Sequence, residues 1–271
     1  MKYALSLIIF LLFYSSIFSQ YTEVINSNRP GSSQGAFAVG RNVLQFELGV
    51  NFSDLSHKNL NFSYDQKPLI KNIHLEIKKG SKYGFFGKSG SGKSTLIDII
   101  LGVLPPTSGS LYLDGVDISE NLRGWQNQIG YVPQEIFLSD DTLRRNIAFG
   151  LSVDDINDAA IQKAVSLVQL EKFIHNLPQG LDTIVGERGV RISGGQRQRI
   201  GIARALYHKP EVLVLDEATS NLDIKTEADL MDAIFALHGQ KTIITVAHRL
   251  KTLDKCDNIY TLRNGKIIDE I

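Results

Sequence analysis

Phe85-Phe86-Gly87-Lys88-Ser89-Gly90-Ser91-Gly92-Lys93-Ser94-Thr95 is the stretch on which the fold turns. Phe85 and Phe86 read as a buried strand, and a helical pattern opens at Ser94 and runs to about Val103, where Pro105-Pro106 stops it. Between strand and helix, the glycines, the lysine and the hydroxyls match G-x-x-x-x-G-K-S/T in the strand-to-helix context that this pattern needs. Glycines let successive backbone N–H groups turn inward around the β- and γ-phosphates of a nucleotide. Lys93 adds a point charge there, and the Ser94 hydroxyl can ligate Mg²⁺. The helix aims its partial positive end at the same anion. A Gly/Ser-rich turn can also cap a helix without any ligand, but the full pattern ending in Lys-Ser-Thr goes well beyond a cap. This stretch alone does not separate a kinase, a GTPase and a transport ATPase.

Outward from that loop, the apolar spacing describes an α/β protein. Leu60, Phe62 and Tyr64 alternate as a half-buried strand, and Ile73, Leu75 and Ile77 alternate as another before Lys79-Gly80. Asp114-Gly115 marks the turn of a hairpin. Ile156, Ala160, Ala164, Leu167 and Val168 recur at helical spacing, which implies a smaller helical subdomain. The continuous apolar runs at 212–215 and 243–246 are those of parallel strands covered on both faces by helices, so the core is a doubly wound sheet.

Composition narrows the partners. Hydrophobic residues at 43%, charged residues at 21%, and 29 basic against 29 acidic residues give no overall bias toward nucleic acid or a membrane surface, so any anion is held locally. The single cysteine, Cys256, excludes an internal disulfide and a multi-cysteine metal site and suits a reducing compartment. The N-terminus points the other way. Residues 1–20, with Lys2, a short apolar centre and a small-residue exit, read as a signal-peptide-like segment, too short for a membrane span of about 20 residues. Residues 21–53 read as a linker or foreign fragment resembling the mature start of an envelope β-barrel protein, with Val43, Leu44, Phe46, Leu48 and Val50 as one strand. No transmembrane bundle is expected elsewhere.

Ile192-Ser193-Gly194-Gly195-Gln196 decides among the nucleotide-binding classes: it resembles the signature motif of ABC ATPases, with Ile192 where Leu is usual. Arg197-Gln198-Arg199 and Ile202-Ala203-Arg204-Ala205-Leu206 follow as that family's helix, ended near Pro210. Ser193 alone would be an ordinary N-cap, but glycine in a first helical turn costs up to about 1 kcal/mol relative to alanine, so the Gly-Gly pair implies a close approach to the backbone. The resemblance implies that what approaches Ser193, Gly194, Gly195 and Gln196 is the γ-phosphate of ATP held on the P-loop of a second ATPase domain. It makes 212–217 the Walker B strand, with Asp216 holding Mg²⁺ through water and Glu217 as general base. Two acids ending a strand are otherwise often a solvated edge, and a lone histidine a packed or surface residue. In this family's order, Asp223 of Ser220-Asn221-Leu222-Asp223 belongs to the D-loop at a dimer interface and His248 is the switch histidine at the γ-phosphate. Tyr64 stacks on adenine, and Gln134 in Tyr131-Val132-Pro133-Gln134 reaches Mg²⁺ and the water. Residues 87–95 form the ATP cradle.

The resemblance covers residues 54–271 and implies a P-loop NTPase core with an antiparallel β-subdomain and a helical signature subdomain. Residues 183–189 resemble a loop of exporter-type ABC proteins next to their coupling helices, and 137–150 also look like exporters, including those moving lipid-linked sugars. The implied protein is the ATP-hydrolysing part of an exporter at the cytoplasmic face of the inner membrane. Its partners would be a second ABC ATPase domain, identical or not, and transmembrane domains supplied in trans or lost from this chain; nucleic acid is not expected. The domain looks C-terminally short, because the family's helical tail does not follow Ile271. Two alternatives stay open: an ABC-type ATPase not coupled to transport, and a secreted or non-functional fusion product, since an exported protein meets no Mg-ATP.

Overall fold

The computed structural model describes residues 59–65, 67–186, 191–219 and 222–270. The signal-like segment, the strand expected around Val43 to Val50, Glu187-Arg188-Gly189 at the end of the exporter-type loop, and Ser220-Asn221 of the D-loop lie outside the described residues.

The described residues begin with an antiparallel pair, β1 (Leu60–Tyr64) and β2 (Lys67–Ile73). Strand β3 (Lys82–Phe86) leads through the glycine-rich loop into α1 (Lys93–Ile100). A hairpin of β4 (Tyr112–Leu113) and β5 (Val116–Asp117) turns on Asp114 and Gly115, both at positive φ, as a two-residue turn with right-handed strand twist demands. Short helix α2 (Leu122–Gln126), β6 (Ile129–Val132) and β7 (Asp141–Thr142) precede the helical section: α3 (Leu143–Ile147), α4 (Asp158–Leu167) and α5 (Glu171–His175). Then come β8 (Ile184–Val185), α6 (Gly194–Tyr207), β9 (Val212–Asp216), α7 (Ile224–Phe235), β10 (Thr242–Ala247), β11 (Asn258–Arg263) and β12 (Lys266–Glu270). Among the described residues no helix is long and apolar enough to cross a membrane.

The central sheet has six strands in the order β12-β11-β3-β10-β9-β6, parallel except for the β11–β12 edge pair. All six residues of β10 and all five of β9 are buried, which is why neither reads as an apolar–polar alternation, although Thr242 and Thr245 interrupt the apolar run of β10. Their side chains divide between two cores. Val212, Val214, Ile244 and Val246 pack with Leu96, Ile97 and Ile100 of α1, whereas Leu213, Leu215 and Ile243 pack with Ile200 of α6 and Leu230 of α7. Helices therefore cover both faces, and the helical section joins the α6 side through Ile161, Ala164 and Val165 of α4.

Two boundaries differ from the sequence reading. Helix α1 ends at Ile100, ahead of Pro105-Pro106, because Gly102 adopts φ 69° and closes the helix end. The Gly102 N–H donates to Ile99 O at 2.9 Å and the Val103 N–H to Asp98 O at 2.8 Å, the paired bonds of a Schellman stop. The second expected strand runs earlier than Ile73 to Ile77: pairing covers Lys67–Ile73, and beyond it Leu75 and Ile77 stay buried without belonging to a strand. Their alternation follows burial against the core and not a continued ladder.

Candidate functional site

Parallel register brings the chemistry to one edge. Phe86 lies beside Ala247 and Asp216 beside Val246, so the loops that leave β3, β9 and β10 emerge together at the carboxyl ends of the strands, the usual place for a ligand in such a sheet. These loops carry residues 87–95, Asp216-Glu217 and His248.

The loop after β3 has the shape of a phosphate cradle. Helix α1 starts at Gly92 with no side-chain cap and no acid in its first turn, which leaves its first N–H groups and partial positive end open to an anion. Gly87 cannot be replaced by a larger residue cheaply, since a Cβ there would meet Leu262 O at 2.5 Å and Ser91 Oγ at 2.8 Å. Lys93 is buried and its Nζ donates to Gly87 O at 2.8 Å and Lys88 O at 3.2 Å. Burial lowers its pKa, while Glu217 and Asp216 pull it back up. The Ser91 hydroxyl is buried without a hydrogen-bond partner, Ser94 is exposed at the loop mouth, and Lys88, Ser89 and Gly90 are exposed. Thr95 is half-buried behind Ser94. A loop with an orphaned hydroxyl, an uncapped helix and a lysine turned onto its own carbonyls fits a phosphate chain.

Across the edge, Asp216 and Glu217 are both buried, at 6% and 8% exposure. Burial raises the Asp216 pKa, as do the neighbouring charges of Glu217 and Asp98; Lys93 and His248 oppose the rise. An acid under that pressure favours a nearby cation. Glu217 sits at φ 52°, and its Oε1 is 2.6 Å from His248 Nε2. Among the described residues no cluster of three or more His, Cys, Asp or Glu side chains makes a metal site by itself. A divalent ion here would take Ser94 and Asp216 together with phosphate oxygens, as Mg²⁺ commonly does.

The other expected residues lie apart from this centre. Tyr64 ends β1 half-exposed, its ring edge-on to Phe62 with centroids 4.7 Å apart, leaving a face free. Gln134 is exposed and lines a cavity of about 510 Å³ with Phe137, Ile192, Gly194, Arg197 and Gln198. Ser193 caps α6 in a reciprocal box: its hydroxyl accepts from Gln196 N at 3.2 Å, and the Gln196 side chain accepts from Ser193 N at 2.9 Å. Within the chain, the close approach at Gly195 is to Leu222, whose Cδ2 would lie 2.9 Å from an added Cβ. Asp223 caps α7 by accepting from Thr226 N at 3.0 Å. No hydrogen bond or ion pair among the described residues joins 193–196 to 87–95.

Residues 70–220 match the family model described as ABC transporter. The chain belongs to the ABC transporter family. It is 42% identical over 232 residues to proteins named as multidrug export ATP-binding/permease proteins in two strains of Staphylococcus aureus, covering 85% of this chain and 39% of each of them. Among solved structures it is similar to a bacterial Atm1-family ABC exporter with ATP bound, with a TM-score of 0.74 and 35% identity over 86% of this chain and 39% of that one. The chain thus spans 39% of the length of these relatives.

In this ABC chain the sequence reading missed Tyr131 and Asp98. Tyr131 is paired with Val214 in register, two residues before Asp216 on the same face, which sets its phenol near the Asp216 carboxylate. Burial, together with Asp216 and Asp98, pushes the Tyr131 hydroxyl up to about 12. Nothing local marks either residue: sheet register places Tyr131 near Asp216, and the packing of α1 on the sheet places Asp98 there.

Proposed function

We propose that this chain binds ATP with Mg²⁺ and hydrolyses it as the ATPase part of an ABC exporter, two such domains enclosing the nucleotide between them. The observation that carries this reading is the Glu217–His248 pair, 2.6 Å apart at the strand edge that also holds the 87–95 cradle and Asp216. In it, backbone N–H groups of residues 87–95 and the start of α1 hold the β- and γ-phosphates, and Lys93 exchanges the carbonyls of Gly87 and Lys88 for phosphate oxygens. Mg²⁺, when bound, neutralises charge on the phosphates, with Ser94, Asp216 and Gln134 as its protein-side partners. Glu217 orients the attacking water and takes its proton; His248 keeps that carboxylate aimed and lies beside the γ-phosphate. Tyr64 offers its free face to adenine.

Two domains fit this reading, since α6, which starts at Gly194 with Ser193 as its cap, packs on the sheet face opposite α1. Ser193, Gly194, Gly195 and Gln196 therefore meet a γ-phosphate held by a second domain, with Asp223 at the junction. Export is supported by the names of the relatives, which speak of multidrug export; the likeness of 137–150 to transporters of lipid-linked sugars gains no support from them. The partners are a second ABC ATPase domain and transmembrane domains, at the cytoplasmic face of the membrane where Mg-ATP is available. The test is calorimetry and phosphate release on the purified chain. Parent protein binds Mg-ATP and releases phosphate, and Lys93→Ala loses at least about 10-fold in affinity, as removal of a charge-assisted contact entails. Equal ATP binding by parent and Lys93→Ala overturns the cradle.

A further inference from the structure

Glu227, in the first turn of α7, is a charged residue only 8% exposed. Burying a carboxylate is costly unless it is paired and hydrogen-bonded. Glu227 meets that need fully. Its Oε1 accepts from Thr219 Oγ1 at 2.8 Å and from Thr252 Oγ1 at 2.9 Å, and its Oε2 pairs with Arg249 Nη1 at 3.0 Å. The partial positive charge at the start of α7, capped by Asp223, favours an acid at the same place.

The origin of those three partners is the informative part. Thr219 is two residues beyond Glu217 in the loop after β9, Arg249 is next to His248 in the loop after β10, and Thr252 lies in the turn Leu250–Leu253 that continues that second loop. One buried carboxylate therefore fastens together the two loops that present Glu217 and His248. At the strand ends themselves the Glu217 N–H donates to Val246 O at 3.0 Å, so the pair is tied on its strand side by a backbone bond and on its outer side by Glu227.

We propose that Glu227 is a positioning residue for hydrolysis: it holds the loops after β9 and β10 at a fixed separation, and so keeps the Glu217 carboxylate and the His248 imidazole paired. This rests on the hydrolytic reading above, since positioning matters only if Glu217 activates water. Glu227 touches neither nucleotide nor water in this scheme. Its loss changes where the pair points and leaves the phosphate cradle intact.

The experiment compares the full chain with Glu227→Gln, which keeps the size of the side chain and removes the charge that holds Arg249. Arg249→Gln removes the same ion pair from its exposed side and serves if Glu227→Gln does not fold. Either variant lowers kcat roughly 10- to 100-fold and leaves KM for ATP within about 2-fold, because misplacement of a reacting group by about 1 Å suffices for that loss. In a His248→Ala background the same substitution costs less than about 2-fold, the pair being already broken. Equal kcat losses in both backgrounds, or a kcat unchanged in both variants, overturn the proposal. A second readout needs no turnover: the imidazole ¹⁵N signal of His248, assigned by its disappearance in His248→Ala, shifts in Glu227→Gln. An unmoved signal overturns the positioning role even if the parent hydrolyses nothing, whereas an inactive parent with a shifted signal overturns only the ATPase reading.

Discussion

Glu217 pays for its position with backbone strain: at φ 52° a residue with a Cβ sits in the left-handed region, at a cost on the order of 1 to 3 kcal/mol. The return is direction. Leaving β9 through that turn, the chain places a buried carboxylate against His248 from the loop after β10, with the buried Asp216 next to it in the chain. Glu217→Gln keeps the shape and the backbone turn but cannot take a proton. Mg-ATP binding should persist while phosphate release falls on the order of 10²- to 10⁴-fold, the usual worth of a general base. ATP should also trap a dimer, because the step that would open it no longer occurs. Phosphate-release assays and size-exclusion chromatography with ATP read both effects, and release at the parent rate would remove Glu217 from the role of base.

At the scale of elements, α1 shows how a helix end is set by conformation. Leu96, Ile97, Ile99 and Ile100 are each at most 1% exposed, and burying a side chain of that size stabilises by roughly 1.5 to 3 kcal/mol. That face holds the helix against the sheet so that its uncapped start stays over the cradle. Its other end depends on Gly102, where φ is 69° and a Cβ would meet Leu122 Cδ1 at 2.3 Å. Gly102→Ala therefore combines an unfavourable backbone with a clash, and should destabilise by at least about 1 kcal/mol. For a domain of this size that lowers the thermal midpoint by about 2 to 4 °C per kcal/mol. Differential scanning calorimetry checks it, and an unchanged midpoint would mean that the chain re-routes around Gly102 at no cost. ATP affinity should not change, because the cradle is at the opposite end of the helix.

Across the whole molecule, the sheet separates two halves of the chemistry. The cradle and α1 belong to one face, the α6 start with Ser193 to the other, and no hydrogen bond among the described residues connects them. Ser193→Arg should leave ATP binding by a single chain within about 2-fold. Hydrolysis should fall at least about 100-fold, since preorganised donors at a developing charge are commonly worth that much. Combined with Glu217→Gln, it should also abolish the ATP-trapped dimer. A Ser193→Arg protein that hydrolyses ATP at the parent rate while running as a monomer would show that the catalytic site needs no second domain.

The strand–loop–helix at 87–95, the acid pair at 216–217 and the hairpin at Asp114-Gly115 were legible along the chain because each is a local requirement: a glycine-rich turn into a helix, a strand end, two consecutive positive φ angles. The doubly wound class was legible too, since strands buried on both faces are mostly apolar, as β9 and β10 are apart from Thr242, Thr245 and the terminal Asp216. Tertiary structure alone decided which distant residues meet. The order β12-β11-β3-β10-β9-β6 sets Ala247 beside Phe86 and so brings His248 to Glu217, and register carries Tyr131 to Asp216. Glu227 carries no motif of its own along the chain, and becomes the tie between two loops only when α7 packs against them. Even the stop of α1 lies ahead of the prolines, because Gly102 takes the left-handed φ of 69° that closes the helix end. Local pattern encodes what a segment does to its own backbone, whereas contacts between strands and loops far apart in sequence depend on a sheet order that no single segment carries.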